Sequence, residues 1–487
     1  MSHDQLSSFL QALTDDRDVV RIAEEVSADG EIAALTTRVR QARGDGPAVF
    51  FERVAGSAIP VVTNLLGSYA RVCRALRTDS LDAVADRLSE KAQPRPSRGW
   101  FDHLRNLPRF GAVGGLPPRV VRAAPCQQVV RLGRDIRMDE FPVPRLWPAD
   151  ETKLITAAQV CVKHPLTGER YSELVPVEVR DQASLRVLWT PFQAGHAVWR
   201  EHVRTGSQMP VALVLGGDPV LLFTSTCPVP PQSESWLFAG FLRGEALDVI
   251  PGRTVDLEVP AAAEIVFEGF VDPLEAPEPC GRGSRVNGFS GEPFACPVLR
   301  LGAVTSRTNP VFPVVVPGAP PSEDFWLHKA AERVCLPILR MFVPELVDYS
   351  FPHGATGRNL CFVSLAKTHP GQARKALGAL WGHPLLMHTK FVVVVDADVD
   401  VQRPDEVWFA AGAHAHVPRD IVQGEGPADW FDHATPTRGL AGKLAIDATR
   451  KFPEEHRSAA PWPAPLGETS ELAERVDRLW RGTGLDR

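Results

Sequence analysis

The sequence predicts a mixed α/β fold, of the broad α+β kind, arranged in three parts. Three observations carry this. Short β-type runs punctuated by Pro and Gly dominate from about residue 121 to 310, strand-like and helix-like stretches alternate from about 311 onward, and a shorter mixed stretch occupies residues 1–120. A chain of 487 residues with 44% hydrophobic content is long enough to bury a substantial core and to divide into two or three domains.

In chain order, Leu6, Phe9, Leu10 and Leu13 recur at helical spacing between polar residues, so the N-terminus reads as an amphipathic helix rather than a signal peptide. Ala48 to Phe51 and Ile59 to Val62 read as short strands. Leu81, Val84 and Leu88 give the stretch from Ser80 to Lys91 a helical period. Two breaker-rich stretches, QPRPSRG from Gln93 and GGLPPR from Gly114, mark a linker or domain edge. The runs LITAAQVCV, SLRVLW, VALVLG, TVDLEV and AEIVFEGFV then predict a mostly β barrel or sandwich over 121–310. From 311 to 487, VFPVVV, LCFVSLA and KFVVVVDADVD alternate with DFWLHKAAERV and GQARKALGALW, the pattern of an α/β layer. Ser470 as a cap, with Leu472, Val476, Leu479 and Trp480 on one face, predicts a terminal amphipathic helix.

Charge and cysteine usage narrow the function. A formal net charge of -6, with no run of five basic residues, gives nucleic acid and anionic lipid no general attraction to the chain. The eight cysteines are scattered without a C-x-x-C pair, which fits a reducing cytoplasm. No stretch approaches the roughly 18 uncharged apolar residues that cross a bilayer, so neither membrane insertion nor secretion is expected.

Six stretches carry a family resemblance: PVPRLWPADETKLIT from Pro142, PVALVLGGDP from Pro210, PVPPQSESWLFAGFLRGE from Pro228, LEVPAAAEIVFEGFVDPLEAPE from Leu257, HTKFVVVVDADVD from His388 and ATPTRGLAGKLAIDATRKFPEE from Ala434. In this order they resemble the UbiD family, decarboxylases of aromatic or unsaturated acids that use prenylated flavin mononucleotide, and in particular its 3-octaprenyl-4-hydroxybenzoate branch. The resemblance implies an N-terminal α/β domain, a central split β-barrel that holds the flavin, and a C-terminal α/β domain. It also implies that the last helix packs on a neighbouring subunit, in a homodimer or larger homo-oligomer, and that a flavin prenyltransferase supplies the cofactor.

The same resemblance assigns candidate residues. The family binds a divalent cation at the flavin phosphate through an Asn, a His and a Glu. The Glu matches Glu234, whereas a gapless placement between Leu154 and Trp189 puts Tyr171 or Ser172 at the Asn position and Phe192 at the His position. Pro176 or Val177 stands where the family has its catalytic arginine, with Arg180 and Arg186 as nearby substitutes. Glu278 matches the first member of the family's acidic pair and is expected to act as an acid or base, because a carboxylate in a pocket has its pKa raised. The position of the second acid is Gly283. Arg282 and Arg285 in the same loop are candidates for binding a substrate anion. Lys390 matches a lysine near the flavin phosphate, and a buried lysine needs such an anionic partner. His353, in a Gly-rich loop, is a candidate proton donor. His414 and His416, on one face of an extended segment, are a candidate replacement metal pair.

The leading expectation is a UbiD-like carboxy-lyase in specialised biosynthesis, with prenylated FMN and a divalent metal if the family function is retained. The alternative is a UbiD-fold enzyme without the flavin, performing cofactor-free acid–base or acyl chemistry in the old pocket. A further alternative is a non-catalytic partner of an active paralogue.

Overall fold

A computed structural model describes residues 5–42, 45–92, 116–227, 235–285, 288–319, 322–353, 355, 357–456, 462–463, 466 and 470–481, and the statements below concern these. The opening helix, Leu6–Asp15, buries the four apolar residues that announced it. The helix Leu81–Ala92 likewise buries Leu81, Val84 and Leu88, and the Ser80 hydroxyl accepts the Ala83 N–H at 3.1 Å, satisfying one donor at its start.

Three sheets organise the chain. The first runs Val19–Val26, Ala48–Val54, Val61–Thr63 and Phe312–Val314. Its fourth strand comes from beyond residue 310 and pairs in parallel with Val61–Thr63, so the chain returns to its first layer after completing the central one. The second sheet has nine antiparallel strands, with the long strands Val298–Ser306, Ile265–Val271 and Met209–Leu215 at its centre, and curls into a half barrel. The third has five strands in the order Leu346–Ser350, Leu360–Leu365, Phe391–Asp396, Leu440–Asp447 and Ile421–Pro427, parallel at the centre and antiparallel at both edges. The central Phe391–Asp396 strand carries Val392 to Val395, all buried, as a strand covered on both faces requires. The long helix Glu323–Phe342 packs on Leu346–Ser350 and on Leu81–Ala92, joining the first and third layers.

All eight cysteines are free thiols and buried. Among the described residues no helix is long and apolar enough to cross a membrane.

The half barrel turns on a bulge between Glu268 and Gly269. A Cβ on Gly269 would lie 2.1 Å from the Arg300 carbonyl oxygen, which is backbone and has no rotamer to move to. Gly269→Ala is therefore expected to lower stability by about 1–3 kcal/mol, read as a lower urea midpoint. An unchanged midpoint would show that the bulge tolerates a side chain.

The terminal helix Ser470–Arg481 forms as expected, and Leu472, Leu479 and Trp480 are exposed on the single chain.

Candidate active site

A cavity of about 710 Å³ opens where the half barrel meets the helices and loops of the third layer. Its walls come from distant parts of the chain. The strand Arg170–Leu174 supplies Ser172 and Glu173, the start of the helix Ala194–Thr205 supplies Phe192 and Ala194, and the first turns of Glu323–Phe342 supply Asp324, Leu327 and His328. The three helix residues face one way because they stand at i, i+3 and i+4. Loops before and after the strands of the third sheet add Arg358, His388, Asp429, Trp430 and Asp432.

Arg358 is the electrostatic centre of this space. It is half-buried, and its guanidinium makes no hydrogen bond or ion pair with a described residue. Burial, with the Arg358 charge adding to it, pushes His328 down to about 3, so its imidazole is neutral at pH 7. Burial and then Arg358 push His388 down to about 4, and its buried Nε2 has no partner. Burial pushes Asp429 upward against the pull of the Phe431 N–H and Arg358. Burial raises Asp324 to about 6, against the charge of Arg40, and leaves its Oδ2 without a hydrogen bond. Among the described residues the cavity therefore holds, around Arg358, two neutral imidazoles and buried carboxyl groups pushed toward the protonated form.

Arg170 and Arg285 also line the cavity; Arg170 is paired with Glu258 at 2.7 Å, whereas Arg285 is only 2% exposed. Its Nη1 donates to the Ser284 carbonyl at 3.1 Å, its guanidinium lies 5.3 Å from the Phe431 ring centre, and its Nε has no partner. It lines both the main cavity and a neighbouring one of about 240 Å³. Its Nη2 reaches the Gly281 carbonyl at 3.5 Å and the Cys280 thiol at 3.8 Å, and no carboxylate among the described residues pairs with it.

The other sequence candidates fare differently. Glu278 does not line the cavity. Arg180 grips it at 2.9 Å through both oxygens and Arg186 adds a contact at 2.8 Å. These hydrogen bonds, Arg180 first, hold its carboxyl down at about 2, so the expectation of a raised pKa is corrected: the pocket environment is absent and two guanidinium groups fix the ionised form. Arg186 also bonds the fully buried Glu178, whose carboxylate accepts the Gly281 N–H at 2.7 Å and the Thr152 hydroxyl at 3.0 Å. Arg180 and Arg186 thus build a structural ion network rather than reaching the cavity. Arg282 is also corrected: it pairs with Glu292 at 3.0 Å and lines neither cavity, because it stands outward of Arg285. His353 is exposed and stacks on Phe325, ring centres 3.9 Å apart, outside the cavity lining. Arg358, five residues later in that loop, takes the cavity position. His414 closes the helix Pro404–His414, so it and His416 do not share an extended face, and the metal pair is not formed. Glu234 lies outside the described residues.

The implied flavin phosphate and its cation need ligands at the Asn and His positions. Of the two residues at the Asn position, Tyr171 donates its hydroxyl to Glu169 at 2.9 Å, and Ser172 shares its hydroxyl with Ser225 at 3.3 Å and the Cys161 thiol at 3.6 Å. Phe192 packs against the edges of His388 and Trp430, with ring centres 4.6 and 6.3 Å away. Among the described residues no group of three His, Cys, Asp or Glu side chains is arranged to hold a metal. Lys390 lies beside the Asp432 carboxylate at 2.6 Å, so its anionic partner is already part of the chain. Among the described residues, which exclude Glu234, the donor set does not fit a metal-bridged flavin phosphate.

Sequence reasoning missed Arg358, His328, His388 and Glu173. The one legible signal was the i, i+4 spacing of Asp324 and His328 on a helix with a clear period. The rest meet only through long-range packing.

Comparison with known proteins gives three successive family matches. The 3-octaprenyl-4-hydroxybenzoate carboxy-lyase N-terminal domain matches residues 10–90, the Rift-related domain of the same enzyme matches 119–320, and its C-terminal domain matches 325–448. An uncharacterized protein of Aquifex aeolicus is 35% identical over 482 residues, 99% of each chain. Another from Archaeoglobus fulgidus is 36% identical over 484 residues, 99% of this chain and 98% of its own. Among solved structures, the closed form of vanillic acid decarboxylase from Sedimentibacter hydroxybenzoicus matches with a TM-score of 0.86 at 25% identity, covering 99% of this chain and 100% of that one. The UbiD-class enzyme HmfF from Pelotomaculum thermopropionicum, in complex with FMN, matches with a TM-score of 0.78 at 27% identity, covering 94% and 97%.

Proposed function

Because this chain belongs to the UbiD family of carboxy-lyases, we propose that it decarboxylates an aromatic or unsaturated carboxylic acid bound in the 710 Å³ cavity. The observation that carries this is Arg358, a guanidinium facing a ligand-sized cavity with no carboxylate of the described chain paired to it. A substrate carboxylate supplies that pair. Arg285, which lines both cavities, holds another acceptor group of the same ligand.

The reaction breaks the bond between the carboxylate and its carbon, releases carbon dioxide, leaves the electron pair on that carbon and adds a proton there. Apolar walls from Leu188, Leu327, Leu385 and Met387 desolvate the carboxylate and favour its loss as a neutral gas. The proton comes from a buried carboxyl group, and Asp324, raised to about 6, is the donor proposed here. An electron-rich substrate such as a hydroxylated aromatic acid accepts that proton on the ring carbon and so supplies its own electron sink. The exposed apolar residues of the terminal helix support a homo-oligomer in which a second copy covers them.

The test is carbon dioxide release from a panel of hydroxybenzoic and aryl-acrylic acids. Because Asp324 must be protonated to donate, kcat/KM is expected to fall about tenfold per pH unit above pH 6, and Asp324→Asn is expected to remove that limb. A panel that neither releases carbon dioxide nor binds would sink the reading.

A further inference from the structure

We infer that the cavity is built for a ligand without a phosphate, because the chain fills the phosphate end with carboxylates of its own, chiefly Glu173. Tyr171 or Ser172, together with Phe192, marks that end, since they stand where the family resemblance places two cation ligands at the flavin phosphate. Glu173 is the next residue after Ser172, and its two oxygens accept the N–H groups of Ala194 at 3.0 Å and Gly195 at 2.8 Å. Those N–H groups open the twelve-residue helix Ala194–Thr205, two positions beyond Phe192. The first N–H groups of a helix, with its positive dipole end, are what a phosphate would bind. Here both are taken by Glu173: burial pushes its carboxyl upward against the pull of the Gly195 and Ala194 N–H groups, and a dianion placed beside it would have to displace it from both donors.

Two further observations agree independently. Lys390, the cation expected at the same phosphate, is neutralised by Asp432, a carboxylate that is itself nearly buried. Phe192 adds an aromatic wall, packed on His388 and Trp430, where a polar ligand to a cation would have to stand. What remains for an anion is Arg358 and Arg285, single guanidinium groups each suited to a carboxylate or phenolate rather than to a phosphate. The ligand class is therefore a phosphate-free, hydroxyl-activated aromatic monocarboxylic acid that takes the proton on its own ring carbon, and catalysis proceeds without a phosphate-bearing flavin. This rests on the proposed function only in taking the cavity as the substrate site.

The experiment purifies the full chain after co-expression with a flavin prenyltransferase, beside a flavin-binding member of the family loaded in the same cells. Flavin is read by absorbance and mass spectrometry, and divalent metal by elemental analysis. At least about tenfold less flavin and metal per chain than in the control is expected, and stoichiometric flavin in this protein would overturn the inference. Titration with FMN and with riboflavin then tests Glu173 itself. Glu173→Gln is expected to tighten FMN by about tenfold while leaving riboflavin unchanged; equal FMN affinity in the two proteins would show that Glu173 does not guard this end. Carbon dioxide release from the same preparations separates the two readings. A flavin-loaded, active protein sinks the inference and keeps the carboxy-lyase; a flavin-free, active one upholds both; a flavin-free, inactive one overturns flavin-free catalysis and the carboxy-lyase reading together.

Discussion

Arg358→Leu is expected to raise KM for the carboxylate substrate by about a hundredfold, corresponding to about 3 kcal/mol of lost charge-assisted hydrogen bonding. Folding should hardly change, because the guanidinium forms no bond with a described residue whose loss would be felt in the free protein. Arg358→Lys is expected to recover only part of the affinity, since an ammonium keeps the charge but not the two-pronged geometry. Substrate binding by calorimetry, beside thermal melts of each variant, checks both halves. Affinity unchanged in the leucine variant would move the carboxylate site to Arg285.

The second large effect concerns stability. Arg186→Met leaves Glu178, which is 0% exposed, without its cation and removes one of the two arginines on Glu278. An uncompensated buried carboxylate costs about 3–5 kcal/mol, so the urea midpoint at pH 7 should fall clearly. Arg180→Met, with both partners more than a quarter exposed, should cost about 1 kcal/mol or less. The pH dependence has a definite sign. Arg180 and then Arg186 depress Glu278 from 4.5 to about 2, so its contribution is present above pH 4.5 and is lost as pH falls toward 2. Midpoints at pH 7, 4 and 3 should therefore converge between wild type and Arg180→Met at the acid end. Parallel loss at every pH would mean that the arginines act through packing alone.

Much of this fold was legible in one dimension. Leu6, Phe9, Leu10 and Leu13 name their own helix, and the strand runs from LITAAQVCV to KFVVVVDADVD recur in the structure in order. Both follow from local periodicity, because a face that repeats every 3.6 or 2 residues buries itself once any apolar partner arrives. Of the loop arginines, Arg285 was recognised as a possible anion ligand together with Arg282, but only burial separates the two. Glu278 was recognised as a motif residue, yet its state was not: the arginines that hold it ionised lie 98 and 92 residues away in the chain. In the loop before Leu360–Leu365, the residue chemistry favoured His353, and the chain path turned Arg358 to the cavity instead.

The sequence by itself determined the secondary-structure order and the family, because each is a property of residue identity at a position or of spacing within one element. Only the tertiary structure decided which charges meet. Arg180 and Arg186 go to Glu278, Lys390 goes to Asp432, Glu173 goes to the helix start at Ala194, and Arg358 is left facing the cavity. Pairing energies depend on separation in space and on the water excluded around them, and no pattern along the chain encodes either.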